Sequence, residues 1–426
     1  MKLLILSIGS NPMPNFIVAS YCINSNRNNV EMDQNIFIPD SILLIYSSDT
    51  EKFKDSIITK LNYPPQNIYF INIGDNYRNF KFIEKQVIEK LKELEPERIH
   101  LNFTGGTKSM AVAITMGVKK YSDMGFLTND NIIYSDLVPE TYRLGIDNDS
   151  FPVNGDIRDY LNVSVETIYE LHNLDLPAIN RIHSEFYSKE FVYFLINKFE
   201  NCKEFFKQWH RWPKKDKIKN IRSDYKKIEK YNEYENERLN SVIYADMCIL
   251  LESVSNYLPD DFNVNIPESI DLKRFKHLAK FVCGTYLEEY IFNLLNASKN
   301  DLRLTDLAWN IETKINRRSF EIDVIAIKGC QTFVFSCTTD KTIKLCKGKA
   351  FEAFFRAVQL GGEQTKTILV CYGDDNNERE DEKVLKSIGL DMSQFDAVRN
   401  FEIIGFDDIK DENRLINKLT EIIREV

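Results

Sequence analysis

The sequence predicts an α/β protein in three parts, on three observations. Residues 1–148 alternate apolar strands with amphipathic helices, the pattern of a parallel, doubly wound sheet. Residues 149–272 drop that alternation and carry apolar side chains at helical spacing, which reads as a helical connector. Residues 273–426 open with an amphipathic helix, run into a β-hairpin and return to helix and strand, a second α/β unit. A chain of 426 residues has room for two or three domains, and a 43% hydrophobic composition supplies their cores.

In the first unit the strand candidates are Leu3–Ile8, Ile42–Tyr46, Ile68–Ile73, Ile99–Phe103 and Ile132–Ser135. Between the third and fourth lies a helix, Asn79–Leu94, with Phe80, Phe82, Ile83, Val87, Ile88 and Leu91 on one side. The fourth strand runs into Thr104-Gly105-Gly106-Thr107-Lys108-Ser109, a turn that opens a helix. Two glycines let backbone N–H groups approach a ligand closely. The helix N-terminus adds partial positive charge and Lys108 a full one, so the turn is a candidate phosphate seat. It is neither a P-loop nor a dinucleotide fingerprint, because Thr107 stands where a P-loop needs Lys and the glycine spacing differs. A ligand-free strand-to-helix turn is the alternative. The first strand also ends in a small polar loop, with Gly9, Ser10, Asn11 and Asn15. In an open α/β sheet two such loops meet at the switch point, where ligands bind. Asp49 and Thr50, after the second strand, suit either that crevice or a helix cap.

The connector shows helical spacing in Tyr160–His172 and Glu190–Phe199. Within it, Lys203 to Lys230 holds 11 Lys and Arg against 4 acids, with Trp209, Trp212 and Tyr225 interleaved. Such a run either tracks a phosphate backbone while its aromatics stack on bases, or is a solvated helical face. Whole-chain charge is -9, so any nucleic-acid binding must be local. Eight cysteines without a C-x-x-C pair predict reduced thiols in a cytoplasmic protein, not a disulfide frame or zinc site. No apolar run approaches 18 residues and no leader is evident, so a soluble protein with no membrane partner is expected.

In the third unit a helix around Gly284–Leu295 puts Leu287, Tyr290, Ile291 and Leu294 on one face, with Glu288 flanking it. The hairpin then turns through Gly329. Alternation puts Glu321 and Asp323 on one face of its first strand, and Ser336 and Thr338 on one face of its second. A helix from Ala350 to Leu360 stops at Gly361-Gly362, a strand Thr367–Cys371 follows, then an acidic loop from Asp374 to Lys383 and a last strand and helix between Phe401 and Ile423. A helix Glu, a strand Asp and a polar second strand are the layout for phosphodiester hydrolysis with bound Mg²⁺ or Mn²⁺. Asp323 would be the principal ligand, with Glu288, Glu321 and the main-chain carbonyl of Cys337 as candidates to complete the set. The bland alternative is a half-buried sheet with acids on its wet face.

Taken together, SIGSNPMPN and LNFTGGTKSM resemble a CARF domain, the Rossmann-like sensor of cyclic oligoadenylate in type III CRISPR antiviral defence. GTYLEEY, FEIDVIAIKG, FSCTTDK and FEAFFRAVQLGG resemble the restriction-endonuclease-like PD-(D/E)xK nuclease domain fused to it in ancillary nucleases. The resemblance implies a homodimer enclosing one cyclic adenylate ring, cyclic tetra-adenylate by first expectation, and a metal-dependent endonuclease acting on DNA or RNA. By position it assigns the ring to Ser10, Asn11 and Gly105 through Ser109, and the metal centre to Glu288, Asp323 and the Ser336–Thr338 strand. One departure matters: the family's second strand carries an acid or Ser, a spacer, then Lys, and here the positions read Ser336, Cys337, Thr338. Lys341, Lys344, Lys347 or Lys349 would have to reach back into the site. Otherwise the chain is a regulator that senses the nucleotide and cuts nothing. A sensor that slowly cleaves its own ring is a third reading, since Lys108 would stabilise the transition state of attack by a 2′-hydroxyl. A HEPN-type ribonuclease is disfavoured, because no R-x-x-x-x-H occurs.

Overall fold

The computed structural model describes residues 1–24, 37–138, 142–146, 156–175, 179–201, 254–260, 274, 277–278, 280–315, 318–375, 383–394 and 400–424. The basic run 203–230 and most of the acidic loop lie outside these residues. Among the described residues the strands form two sheets.

The first sheet comprises β1 (Lys2–Ser7), β2 (Ser41–Tyr46), β3 (Ile68–Asn72), β4 (Arg98–Asn102), β5 (Ile132–Val138) and β6 (Arg143–Ile146), in the order β3-β2-β1-β4-β5-β6. All neighbours are parallel except β5 and β6. β6 is an antiparallel edge of four residues, too short to announce itself by periodicity, and it was not expected from the sequence. β1 and β2 are buried on both faces, which is why SILLIY and KLLILS are nearly continuous apolar runs. On one face lie α3 (Phe80–Leu94), begun by Asn79, whose side chain accepts the Phe82 N–H, and α4 (Lys108–Asp123). On the other lie α1 (Met13–Asn24) and α2 (Glu51–Leu61). α1 is apolar almost all round because a second layer covers its outer side. That layer includes α5 (Val165–Leu171), within the expected connector.

The second sheet runs β11-β10-β9-β8-β7: β7 (Asp306–Ile315), β8 (Arg318–Lys328), β9 (Gln331–Thr338), β10 (Lys366–Cys371) and β11 (Phe401–Ile404). β7, β8 and β9 are antiparallel, and β9, β10 and β11 parallel. β7 was missed in the sequence, although Leu307, Trp309 and Ile311 alternate with polar residues as a strand's should. The helices of this domain are α6 (Lys189–Asn201) and α7 (Tyr286–Ala297), then α8 (Ile343–Gly361), α9 (Val384–Ser393) and α10 (Glu412–Arg424). α8 starts seven residues before the predicted Ala350. A widened turn, Phe281–Thr285, leads into α7, and Gly284 at φ 153 makes its kink.

The two sheets share one core. Leu4, Leu6, Ile17, Ile57 and Leu171 belong to the same apolar cluster as Ile322, Val334, Ala357 and Leu360. Polar ties reinforce it: Val163 N–H donates to Gly329 O at 2.8 Å, Val165 N–H to Asp306 Oδ2 at 2.9 Å, and Arg158 Nη1 to Gln331 Oε1 at 2.7 Å. Among the described residues no helix is long and apolar enough to cross a membrane.

Candidate functional site: a sensor crevice and an acidic cleft

Strand order reverses between β1 and β4, so their carboxyl ends frame a crevice. The loops that leave them pack backbone against backbone. A Cβ on Gly9 would lie 2.8 Å from the Gly106 nitrogen, and one on Gly105 would lie 2.2 Å from Ser7 O. Gly106 sits at φ +80 with a built Cβ 2.8 Å from Ser7 Oγ. Only glycines fit here, and the outcome is two loops in close main-chain contact at the sheet's end, with Gly105 buried and Gly9 and Gly106 half-buried. Thr107 begins α4: its backbone is extended and its Oγ1 accepts the Met110 N–H at 3.2 Å. Lys108 occupies the first helical position and is exposed. The Thr104 hydroxyl fixes the turn from below by accepting the Leu137 N–H at 2.7 Å. Ser10 is exposed and Ser109 half-buried, both near the mouth.

Two predicted ring contacts are differently employed. Asn15 is fully buried, and its Nδ2 donates to Ser7 O at 2.9 Å. It supports the glycine turn from beneath, because α1 carries it to the inner side of the sheet. Asn11 Oδ1 accepts the Met13 N–H at 2.8 Å, and its Nδ2 donates to Val358 O of α8 at 3.3 Å. Ser7, which sequence reasoning passed over, donates its hydroxyl to Gly105 O at 2.5 Å. A lone Ser closing the apolar run KLLILS was its signal. Thr50 belongs to its own loop, where its Oγ1 accepts the Ser47 N–H at 3.0 Å.

The second cleft opens between β8, β9 and α8 and is lined by Glu321, Asp323, Ser336, Lys349, Glu352 and Arg356. Asp323 is held by one oxygen: Oδ2 accepts the Cys337 N–H at 2.6 Å and the Ser336 hydroxyl at 3.2 Å. What Cys337 brings to this carboxylate is therefore its N–H. Glu288, on the first turn of α7, has its Oε2 sealed from solvent without a hydrogen-bond partner. Burial pushes its carboxyl well above the usual range, and the charges of Asp323 and Glu321 push it further. Asp323 is raised by burial too, while Lys349 and the Cys337 N–H pull it down. Opposite Asp323 in the β7–β8 ladder, Asn310 takes a left-handed φ of 49, and Trp309 and Ile311 on either side stay paired to β8. Its Oδ1 and Glu321 Oε1 both receive Lys280 Nζ, at 3.3 and 3.4 Å.

Of the four candidate lysines, Lys349 alone lines the cleft, and Lys344 is exposed outside it. Lys341 Nζ lies over the Phe406 ring, 5.6 Å from its centroid, so the loop start turns it away from the acids. Lys347 pairs with Asp391 at 2.6 Å. Lys349, one turn into α8, faces the cleft and its charge acts on Glu288, Asp323 and the Cys337 thiol. Thr338 caps its own turn, its Oγ1 accepting the Asp340 N–H at 3.2 Å, and does not stand in for the motif Lys.

These donors fit a hard divalent cation. They are oxygens, two of them carboxylates whose mutual repulsion a cation would relieve, and Glu288 Oε2 has no other partner. Among the described residues no group of three His, Cys, Asp or Glu is placed to hold a metal unaided. Mg²⁺ characteristically accepts one or two carboxylates and completes its shell with water and substrate phosphate.

The profile of the Card1 CARF domain family matches residues 27–148. The N-terminal sheet therefore includes a Card1-like CARF domain, followed by a second α/β domain. Two solved structures are similar over the whole chain. Protein VC1899 from Vibrio cholerae is 14% identical, with 100% of this chain and 98% of that one covered at a TM-score of 0.56. Can2 from Sulfobacillus thermosulfidooxidans, solved in complex with cyclic tetra-adenylate, is 11% identical, with both chains covered in full at a TM-score of 0.55. At these identities the likeness is one of fold. No curated protein is significantly similar in sequence.

Proposed function

We propose that this chain is a cyclic-oligoadenylate sensor joined to a metal-dependent nuclease, acting as a homodimer in type III CRISPR defence. The observation that carries the nuclease half is the buried Asp323 with Lys349 across the cleft that they both line, and the sealed Glu288 Oε2, near enough for the charge of Asp323 to raise the proton affinity of Glu288. The CARF match and the fold shared with the cyclic tetra-adenylate complex of Can2 support the sensor half.

In this reading the main chain of Gly106 and Thr107, the α4 N-terminus and Lys108 receive the ring's phosphates. Two copies of the crevice would face one ring across a two-fold axis. In the acidic cleft Glu288 and Asp323 would hold Mg²⁺ or Mn²⁺, with water and substrate phosphate completing its shell, and the ion would supply Lewis-acid polarisation of the phosphate and an activated water. The Cys337 N–H and Ser336 hydroxyl hold Asp323 Oδ2, so that Oδ1 stays directed by a fixed carboxylate plane. Lys349 offsets charge that builds on the phosphate and orients the attacking water, the task of the missing motif Lys. Arg356 Nη1 donates to Glu321 O at 3.0 Å and holds the cleft's β8 wall against α8.

The test is cleavage of plasmid, single-stranded DNA and single-stranded RNA with Mn²⁺, with and without cyclic tetra-adenylate. Ring-dependent cutting, lost in Asp323→Ala while the ring still binds, is expected. Absence of cutting on all substrates would defeat the nuclease half. The Thr at position 338 favours a second reading, a ring-sensing regulator that binds nucleic acid without cutting. Ring-tightened DNA binding without product would select it.

A further inference from the structure

We infer that Asn11 is a positioning residue that ties the sensor loop to helix α8, so that a ring seated in the crevice acts on Lys349 through that helix. The inference rests on the sensor–nuclease reading above and adds the route between its two halves.

The helix α8 spans the molecule from one site to the other. Its cleft half presents Lys349, Glu352 and Arg356 to the acids. Its last turn ends against the N-terminal domain. The final four carbonyls of a helix lack partners within it and are met from outside. Here Leu360 O meets His172 Nε2 at 2.6 Å, and Val358 O accepts the Gly362 N–H at 2.9 Å and Asn11 Nδ2 at 3.3 Å. Approach at this corner is close: a Cβ on Gly362 would stand 3.3 Å from Asn11 Nδ2.

The other side of Asn11 is tied to the crevice. It follows Gly9 by two residues, and Gly9 is packed on Gly106 of the phosphate turn. Its Oδ1 holds the Met13 N–H at the start of α1. One short side chain thus bridges the head of α1, the sensor loop and the tail of α8. From Val358 to Lys349 is nine residues, about 14 Å of helix at 1.5 Å per residue. A helix carries a small axial shift over that length without bending. The α8 face turned to the core is built from the small Cys346, Ala350, Ala353 and Ala357, with Leu360 as its one large anchor at the end that meets Asn11, so the small stretch can shift slightly against its neighbours.

The same geometry separates this role from two others. A residue that only shaped the loop would need its Oδ1 alone. A residue that only touched the ring would not have its amide committed to another domain.

The discriminating variant is Asn11→Ser, which keeps a hydroxyl acceptor for the Met13 N–H and cannot reach Val358. It is compared with wild type in the full-length protein with Mn²⁺ and cyclic tetra-adenylate. We expect an unchanged melting temperature and ring binding at least as tight in calorimetry, because binding no longer works against α8. Stimulation of cleavage by the ring should fall about fivefold to tenfold, the coupling that one hydrogen bond carries. Hydrogen exchange read over residues 343–361 should respond to the ring in wild type and not in the variant. Unchanged stimulation with an intact exchange response would overturn the inference. So would a loss of ring affinity matching the loss of stimulation, which would make Asn11 a ring contact. A wild type that never cuts defeats the nuclease reading, whereas a wild-type α8 that ignores a bound ring defeats this one.

Discussion

The crevice between β1 and β4 and the cleft between β8, β9 and α8 solve opposite electrostatic problems at the ends of two sheets. In the proposed reading the first receives an anion, and it offers main chain for the purpose. Glycines at 9, 105 and 106 let two loops touch and leave amides and the head of α4 outward. Its polar side chains brace the main chain, with Asn15 Nδ2, Ser7 and Thr104 each bonded to the backbone they support, while Asn15 Oδ1 is buried without a partner. The second must receive a cation and does it with side chains held in mutual conflict. Asp323 is buried and Glu288 has its Oε2 sealed from solvent, and desolvation raises both carboxyls. The crevice is built of close-packed main chain with one orphaned amide oxygen, whereas the cleft is loaded with like charge. Conflict of that kind lowers stability until a counter-charge arrives.

That contrast can be broken from either side. The largest effect should come from Asp323→Ala, which removes the fixed carboxylate. Loss of several kcal/mol of transition-state stabilisation is roughly a thousandfold in rate, read as ring-stimulated cleavage under Mn²⁺. Next is Gly105→Ala, whose methyl would meet Ser7 O at 2.2 Å. We expect about 3 kcal/mol of destabilisation, measured by denaturant unfolding, together with loss of ring binding. Lys349→Met should lower the cleavage rate by roughly a hundredfold and leave DNA affinity in Ca²⁺ little changed, whereas Lys341→Met should do neither. The smallest effect sharpens the contrast through pH. Glu288 holds its proton more tightly folded than unfolded, so the folded state binds more protons and stability falls as pH rises above the ordinary carboxylate range. Glu288→Gln should therefore stabilise the metal-free protein by about 1 kcal/mol, in thermal melts at pH 8. That gain should shrink toward pH 4 and vanish when Mn²⁺ is added to both proteins.

How much of this was legible beforehand differs between the two regions. The glycine turn announced itself, because Gly-Gly between an apolar strand and an apolar helix has few structural meanings. Its neighbours were harder to read. Asn11 and Asn15 look alike in the sequence, yet α1 turns one toward α8 and buries the other beneath the sheet. In the second domain period-2 alternation was enough to pair Glu321 with Asp323. The choice among four lysines was not readable, since it depends on where α8 starts and which way its first turn faces. Lys341 precedes the helix and is turned to Phe406, while Lys349 lies on the turn that meets the acids.

The sequence by itself determined the two α/β units, most strands of the first sheet, the hairpin and the chemistry each site has to offer. These follow from local rules: periodicity, glycine, and charge at fixed spacing. Tertiary structure alone decided that Lys349 faces the cleft that holds Asp323, that Glu288 lies near enough to feel the charge of Asp323, and that α8 ends on Asn11. Each joins residues tens to hundreds of positions apart, and only packing of one sheet's helices on another's core brings such groups within the few ångströms over which charges and hydrogen bonds act.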